Sequence, residues 1–143
     1  MKWVTRDKPV VDRVACPWLI KKFVDPQAEL LYVPADQVRA VAEREGAIPY
    51  DVPDVELGHT GPACSFEAIV SKYKITDPAV QLLAKVVRGA DTEDRTYTPQ
   101  SEGLRAISRG WHLIDWPTPK RLEVGMQLYD ALYAWCQREV GGA

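Results

Sequence analysis

The first third of the chain alternates short apolar runs with amphipathic segments, and this alternation constrains the fold more than any other feature. Apolar runs near residues 2–5, 29–33 and 48–52 predict three strands. Between them, residues 12–25 and 36–45 repeat apolar positions at helical spacing. This order is typical of parallel pairing with right-handed crossovers. We therefore expect a small three-stranded parallel sheet of β-α-β-α-β topology.

After about residue 64 the sequence carries helical periodicity and helix-capping signals. Asp77-Pro78 forms an N-cap and first-position pair, and Pro99 opens a further helix. The predicted helices cover residues 65–73, 78–89, 99–112 and 118–140. We predict an α/β fold in which the N-terminal third supplies the sheet and the C-terminal part is helical. A chain of 143 residues is typical of one domain, so we assign residues 1–143 to a single domain.

Composition and charge disfavour several classes of protein. The formal net charge is −2 and the isoelectric point is about 5.7, whereas autonomous nucleic-acid binding usually requires a basic excess. No apolar run reaches the roughly 18 residues of a membrane span, and the N-terminus lacks the apolar stretch of a secretory signal. We therefore expect a cytoplasmic protein. Three cysteines without a CxxC pair indicate thiols rather than a disulfide framework.

A polar, glycine-bearing connection over residues 53–62 carries residues suited to metal binding. It contains His59, and Glu67 lies in the first turn of the next predicted helix. With Asp91 as a distant carboxylate, these side chains would suit a divalent ion such as zinc, manganese or iron that keeps positions for water. Structural roles are the alternative: His59 as a hydrogen-bonded loop residue, Glu67 as a partner of the helix dipole, and Asp91 as a helix end.

Cys64 directly precedes the predicted helix start at Ser65, and this position bears on its reactivity. Unpaired N–H groups at a helix N-terminus lower a thiol pKa and favour the thiolate, which suits redox chemistry or ligand binding. The alternative is that Cys64 is a small buried hydrophobe, as most unpaired cysteines are. Cys16 and Cys136 lie on apolar faces of predicted helices and are interpreted as structural.

Basic residues cluster where the first predicted strand gives way to the first helix. Arg6, Lys8 and Arg13 lie within eight positions. Ligands of open α/β sheets gather at such an edge, and arginine near a helix N-terminus suits a tetrahedral oxyanion such as phosphate, sulfate or chromate. Arg6 and Arg13, with Cys64 as a third candidate, are therefore predicted to bind the ligand. A solvated basic patch is the alternative.

Several segments, taken in order, resemble a known family. The most specific are Asp12-Arg13-Val14-Ala15-Cys16-Pro17-Trp18-Leu19-Ile20 and Cys64-Ser65-Phe66-Glu67, accompanied by Trp3-Val4-Thr5-Arg6, Val87-Arg88-Gly89-Ala90-Asp91 and Tyr129-Asp130-Ala131-Leu132-Tyr133. Together they resemble the C-terminal domain family of the chromate-resistance protein ChrB, and the resemblance covers essentially the whole chain. It implies a role in chromate sensing and resistance. Longer members carry an N-terminal DNA-binding half, which is not in this sequence.

These observations lead to two hypotheses about function. The first is a chromate-resistance-associated sensor or binding domain that takes a divalent metal, an oxyanion or both, with the 53–62 segment as the moving part. The second is a small metal- or thiol-dependent oxidoreductase that acts in the chromate or oxidative stress response. A homodimer formed through the C-terminal helix is a further expectation.

Overall fold

The structure, a computed structural model, describes residues 1–58, 64–91 and 98–141. Its strands are β1 (Lys2–Arg6), β2 (Glu29–Val33) and β3 (Ile48–Pro49). β1 lies in the centre and pairs in parallel with both neighbours, so that Trp3 aligns with Leu30 of β2 and with Ile48 of β3. The predicted three-stranded parallel sheet is confirmed.

β3 ends earlier than the predicted run over residues 48–52. Tyr50 still donates its backbone N–H to the carbonyl of Val4, but Asp51 adopts a left-handed backbone with a φ of 51°. Asp51 donates its own N–H to the carbonyl of Leu57. The chain therefore turns out of the sheet after Pro49, and this turn leaves Asp51 at the carboxyl edge of the strands.

Most of the remaining described chain is helical. The helices are α1 (Asp12–Leu19), continued by a π-helical turn over Ile20–Val24, α2 (Val38–Glu45), entered through a 3₁₀ turn over Ala35–Gln37, α3 (Ser65–Lys72), α4 (Pro78–Asp91), α5 (Pro99–Leu113) and α6 (Thr118–Gly141). The predicted helical C-terminal part is confirmed, with ends that differ by a few residues. Among the described helices, none combines the length and the apolar character that crossing a bilayer requires.

The sheet separates two hydrophobic clusters, because successive side chains of β1 point to opposite faces. Trp3 belongs to the larger cluster, which also contains residues of α1, α3, α4, α5 and α6. Val4 belongs to the smaller cluster, where it packs with Val38 and Val41 of α2. One face is therefore covered by α2 and the other by the helical layer.

α6 packs closely against α1 and fixes its position. A Cβ atom at Gly125 would lie 2.2 Å from Val14 Cγ1, so glycine allows the two helices to approach this closely. Trp18 Nε1 also donates a hydrogen bond to Asp130 Oδ1 at 2.8 Å. These contacts hold the N-terminal part of α1, and with it Arg13, at the edge of the sheet.

Candidate anion-binding site

β1 and β3 meet where the connectivity of the sheet changes direction, because β2 and β3 lie on opposite sides of β1. In open α/β sheets, ligands bind outside the carboxyl ends of the strands at such a point. β1 ends at Arg6, and the turn that follows β3 contains Asp51. Both residues therefore occupy the place where the fold favours a ligand site.

Asp51 is a buried carboxylate shared by two arginines. Its Oδ2 atom lies 3.7 Å from Arg6 Nη2 and 3.6 Å from Arg13 Nη1. Ser65 Oγ donates to Asp51 Oδ1 at 3.2 Å, and Arg6 Nε donates to the Asp51 carbonyl at 3.2 Å. We call Arg6, Arg13, Asp51 and Ser65 the Asp51 cluster. The predicted pair of arginines is thus brought together, and the carboxylate that holds it is one that sequence analysis did not single out.

The electrostatic environment of Arg6 places a further carboxylate nearby. Burial and the neighbouring charge of Arg13 lower the pKa of the Arg6 guanidinium, and the charges of Asp51 and Asp91 oppose that shift. Arginine nevertheless remains protonated at any physiological pH. Asp91, at the end of α4, therefore acts electrostatically on the same edge of the sheet as the Asp51 cluster.

A cleft of about 270 Å³ lies beside the Asp51 cluster and shares Arg13 with it. Its described lining residues are Lys8, Val10, Val11, Arg13, Ala90, Asp91, Arg105, Ser108, Arg109 and His112. Lysine and arginine contribute four positive charges to this lining, and Asp91 contributes the single negative charge among these described residues. We call it the cationic cleft. Concave sites lined by one sign of charge concentrate ligands of the opposite sign, here anions.

Two buried polar atoms at the cationic cleft have no protein partner within the described parts of the chain. Ser108 is completely buried, and its Oγ atom makes no hydrogen bond there. The Nε atom of Arg13 is also buried and makes no hydrogen bond with the described residues, although the Arg13 side chain as a whole is partly exposed. An unsatisfied buried polar group costs about 1–3 kcal/mol, and a ligand with acceptor atoms would remove that cost. Because both residues line the cleft, unmet hydrogen-bonding capacity lies at its wall, which favours an anionic or otherwise hydrogen-bonding ligand.

One face of α5 supplies much of the polar lining. Arg105, Ser108, Arg109 and His112 follow one another at spacings of three, one and three residues, which places them on the same side of a helix. Arg105 Nη1 donates to the carbonyl of Ala90 at 3.2 Å, which fixes this side chain against the end of α4. These α5 residues are not among the site residues predicted from the sequence, although their spacing along a predicted helix was the available signal.

The loop after β1, which carries Lys8, is held by the connection between α5 and α6. Lys8 has a left-handed backbone with a φ of 54°, and its Nζ atom lies 3.4 Å from Asp115 Oδ1. The fully buried guanidinium of Arg121 donates to the carbonyl of Pro9 at 3.1 Å and to that of Trp116 at 2.7 Å. This wall of the cleft is therefore organised by the protein itself, which reduces the entropy that ligand binding would cost.

Comparison with known proteins identifies the family. The family described as ChrB, C-terminal domain, matches residues 3–136. The chain belongs to the ChrB C-terminal domain family. Protein ChrB of Cupriavidus metallidurans is 30% identical over 110 residues, which cover 76% of this chain and 32% of that protein. This chain thus spans about a third of the length of that curated relative. No solved structure matches the chain.

Membership of the ChrB family confirms the resemblance seen in the sequence and supports an association with chromate resistance at the level of the family. The segment around Cys64, which contributed to that resemblance, begins α3 where the helix start was predicted. Cys64 is the N-cap of α3, and Ser65 is its first helical residue. The Ser65 hydroxyl hydrogen-bonds with Asp51.

The cysteines of this ChrB family member are all buried. Cys64 has no exposed surface, and neither have Cys16 and Cys136. Burial, followed by the charge of Glu139, raises the pKa of the Cys136 thiol to about 11. Reactive thiols are usually accessible thiolates. A reaction at Cys64 would therefore first require exposure of its sulfur, and its predicted role in ligand binding stays a prediction.

The three predicted metal ligands have different surroundings. Glu67 Oε2 lies 3.4 Å from Arg88 Nη1, and Glu67 Oε1 accepts the backbone N–H of Cys64 at 3.1 Å. Asp91 lines the cationic cleft. His59 lies outside the described residues. Within residues 1–58, 64–91 and 98–141, no three histidine, cysteine or acidic side chains converge as a metal site. The three-ligand metal site therefore stays a prediction.

Proposed function

We propose that the cationic cleft binds a tetrahedral oxyanion of the chromate type and that the domain is a cytoplasmic sensor or binding domain of the chromate-resistance response. The observation that carries this proposal is that four cationic side chains and the buried Ser108 hydroxyl belong to the lining of one cleft. The position of the cleft beside the carboxyl edge of a parallel sheet and the family membership support it.

The donors of the cleft suit the shape and charge of a tetrahedral anion. Arg105 and Arg109 lie one helical turn apart, and each planar guanidinium offers paired N–H donors to two oxygens. Lys8 adds a charge from the loop after β1, and Ser108 adds a neutral donor. Hydrogen bonds to charged groups contribute about 1.5–3 kcal/mol each. Removal of one arginine should thus weaken binding roughly 10- to 100-fold.

Arg13 would connect ligand binding to the remainder of the site. It lines the cleft and also pairs with Asp51, which lies in the turn preceding the 53–62 segment. An anion that draws Arg13 toward the cleft would weaken its pairing with Asp51. Because a ligand shifts a conformational equilibrium only through contacts that differ between states, this shared residue is the proposed link between binding and signalling.

Calorimetric titration with chromate at low ionic strength tests the proposal, because salt screens partly exposed charges. We expect 1:1 binding by the unaltered protein and binding at least about tenfold weaker in Arg109→Gln. Arg44→Gln is the matched control, because Arg44 is an exposed arginine of α2. Unchanged affinity in Arg109→Gln and in Arg105→Gln, with both variants folded, would refute the proposed site.

A divalent metal bound by His59, Glu67 and Asp91 is a separate proposal, carried over from the sequence. Glu67 of α3 is paired with Arg88, which stands three residues before Asp91 on α4, so both carboxylates are associated with the last turn of α4. Metal analysis of the dialysed protein by mass spectrometry is the test. Stoichiometric zinc, manganese or iron that is lost in His59→Ala would support the site, and metal content unaltered by that substitution would reject it.

The oxidoreductase hypothesis has its own measurement. Chromate incubated with the protein and a thiol reductant should be consumed faster than by the reductant alone if the domain is an enzyme. Cys64→Ser then assigns the thiol route, because serine keeps the size of the side chain and removes the nucleophilic sulfur. An equal rate with and without the protein would leave binding as the function.

A further inference from the structure

We propose that Asp91 makes the cationic cleft selective for a tetrahedral oxyanion that retains a proton, such as hydrogen chromate or hydrogen phosphate, over fully ionised sulfate. This inference rests on the proposed function, since it names the ligand class of the same site. It assigns a specificity-determining role to the carboxylate among the described lining residues of the cleft.

The position of Asp91 is unusual for an acidic residue. It is the last residue of α4, where the partial negative charge of the helix end disfavours a carboxylate by about 0.3–1 kcal/mol. The neighbouring carbonyl of Ala90 is already occupied by the Arg105 guanidinium at 3.2 Å. Asp91 thus adds an acceptor to a site whose basic side chains are donors, and its charge reaches as far as Arg6.

The selectivity follows from the inventory of donors and acceptors. The lysine and arginine side chains of the cleft offer donors only, and a carboxylate offers acceptors only. An ionised sulfate also consists entirely of acceptors, so any oxygen that faces Asp91 is repelled. A protonated oxyanion can direct its O–H group at Asp91 and its remaining oxygens at the cations. The O–H···O⁻ bond formed in this way is a short, charge-assisted hydrogen bond.

Sulfate and phosphate allow a fully ionised oxyanion and a protonated one to be compared at a single pH. Both are tetrahedral and similar in size, but at neutral pH sulfate is fully ionised while phosphate retains at least one proton. Sites that hydrogen-bond a substrate hydroxyl discriminate strongly against analogues that lack it, because their buried polar groups are then left unpaired. The cleft is partly open, so we expect a preference smaller than in a closed site.

A different role for Asp91 would be to hold the arginines in place. The variant Asp91→Asn distinguishes the two roles, because asparagine keeps the size of the side chain and replaces one acceptor with an amide donor. If Asp91 is a selective acceptor, the Asp91→Asn variant should bind sulfate more tightly. If Asp91 only orders the arginines, the variant should bind both anions less tightly.

Calorimetric titration with sodium phosphate and with sodium sulfate at pH 7 provides the test. The protein is first dialysed against a chelator, which is then removed, so that bound metal makes no contribution. We expect the unaltered protein to bind phosphate at least about tenfold more tightly than sulfate. In Asp91→Asn the ratio should fall to within about twofold, chiefly through tighter sulfate binding. Asp54→Asn, at an 89% exposed carboxylate, should keep the original ratio.

The outcomes separate this inference from the proposed function. Equal affinity of the unaltered protein for the two anions, or a parallel loss of both in Asp91→Asn, overturns the selectivity while the anion site stands. Failure of the unaltered protein to bind phosphate, sulfate or chromate overturns both. Circular dichroism and thermal unfolding of Asp91→Asn confirm that the comparison is made on folded protein.

Discussion

The Asp51 cluster and the cationic cleft share Arg13, but their charges are balanced differently. In the Asp51 cluster a carboxylate that is only 6% exposed lies within 3.7 Å of two guanidinium groups and accepts a hydrogen bond from Ser65. In the cleft, four cationic side chains share the lining with a single described carboxylate, and the Ser108 hydroxyl is buried without a partner among the described residues. The carboxylate of the Asp51 cluster is satisfied by the protein, whereas the cleft, with its excess of cations, retains capacity for an anion.

The difference shows how one arginine can serve both stability and binding. Exposed ion pairs contribute little, about 0–1 kcal/mol, whereas removing one partner of a buried pair costs several times more. Asp51 should therefore govern folding, and Arg105 and Arg109 should govern ligand affinity. Substitutions at each location can test this division.

The largest expected effect is that of Asp51→Asn. Asparagine tolerates the left-handed backbone of this position, so the substitution removes the charge without adding backbone strain. Two arginines then lose their buried counter-charge, and we expect the free energy of unfolding to fall by about 3–4 kcal/mol. Urea denaturation followed by circular dichroism measures the change.

Asp54→Asn is the control for this prediction. Asp54 also has a left-handed backbone, with a φ of 60°, but its side chain is 89% exposed, and its Oδ2 atom lies 3.9 Å from Arg39 Nη2. Its substitution should change the free energy of unfolding by no more than about 0.5 kcal/mol. Similar losses of unfolding free energy in the two variants would mean that burial of the Asp51 carboxylate does not increase its contribution to stability.

Arg121→Met is expected to have the next largest effect. Methionine retains part of the side-chain volume but leaves the carbonyls of Pro9 and Trp116 without their charged donor. We expect a loss of about 2–3 kcal/mol in the free energy of unfolding. The control is Arg44→Met, at an exposed position, and its free energy of unfolding should stay close to that of the unaltered protein.

A double-mutant cycle sharpens this second prediction. If Arg121 acts on anion binding by placing the loop that carries Lys8, the effects of Arg121→Met and Lys8→Ala on affinity should not add. The effects of Arg121→Met and Arg109→Gln on anion affinity should be closer to additive. If the effects of Arg121→Met and Lys8→Ala are also additive, Arg121 contributes to folding but does not position Lys8 for binding.

Stabilisation by anions is expected to be smaller still. A ligand at ten times its dissociation constant raises the free energy of unfolding by about 1.4 kcal/mol if it binds only the folded state. The midpoint temperature of thermal unfolding should therefore rise with added phosphate in the unaltered protein and in Arg44→Gln. Arg109→Gln should respond less, while its stability without phosphate stays within about 0.5 kcal/mol. An equal shift in all three proteins would indicate a general salt effect.

The sequence predicted those parts of the fold and the site that depend on local patterns. The three strands and the helices follow from apolar periodicity and caps, and Arg6 and Arg13 were identified because they flank the strand-to-helix boundary. The early end of β3 was not predicted, because Asp51 leaves the sheet to meet Ser65 and the two arginines. These partners are distant in sequence, and their contacts outweigh the strand preference of residues 50–52.

The contribution of α5 was missed for a related reason. The spacing of Arg105, Ser108 and Arg109 identifies a polar helix face, but such a face is normally solvated. It becomes part of a site because α5 packs against α4 and places that face opposite the loop after β1. Asp91 was selected from the sequence as a metal ligand, and its place among cations became evident only from that packing.

The smallest expected effect concerns Asp7, an exposed carboxylate next to the cleft wall. A hydrogen bond from the Thr118 hydroxyl and another from the backbone N–H of Lys8 lower the pKa of Asp7. Because the folded-state pKa is the lower one, the stabilisation is complete above the unfolded-state pKa of about 3.9 and is lost as the pH falls through the folded-state value. The stabilisation contributed by Asp7 should not exceed about 0.5 kcal/mol, since solvent screens the charge. In urea titrations between pH 6 and pH 3, Asp7→Asn should therefore lose slightly less stability than the unaltered protein, and a steeper loss in the variant would contradict this assignment.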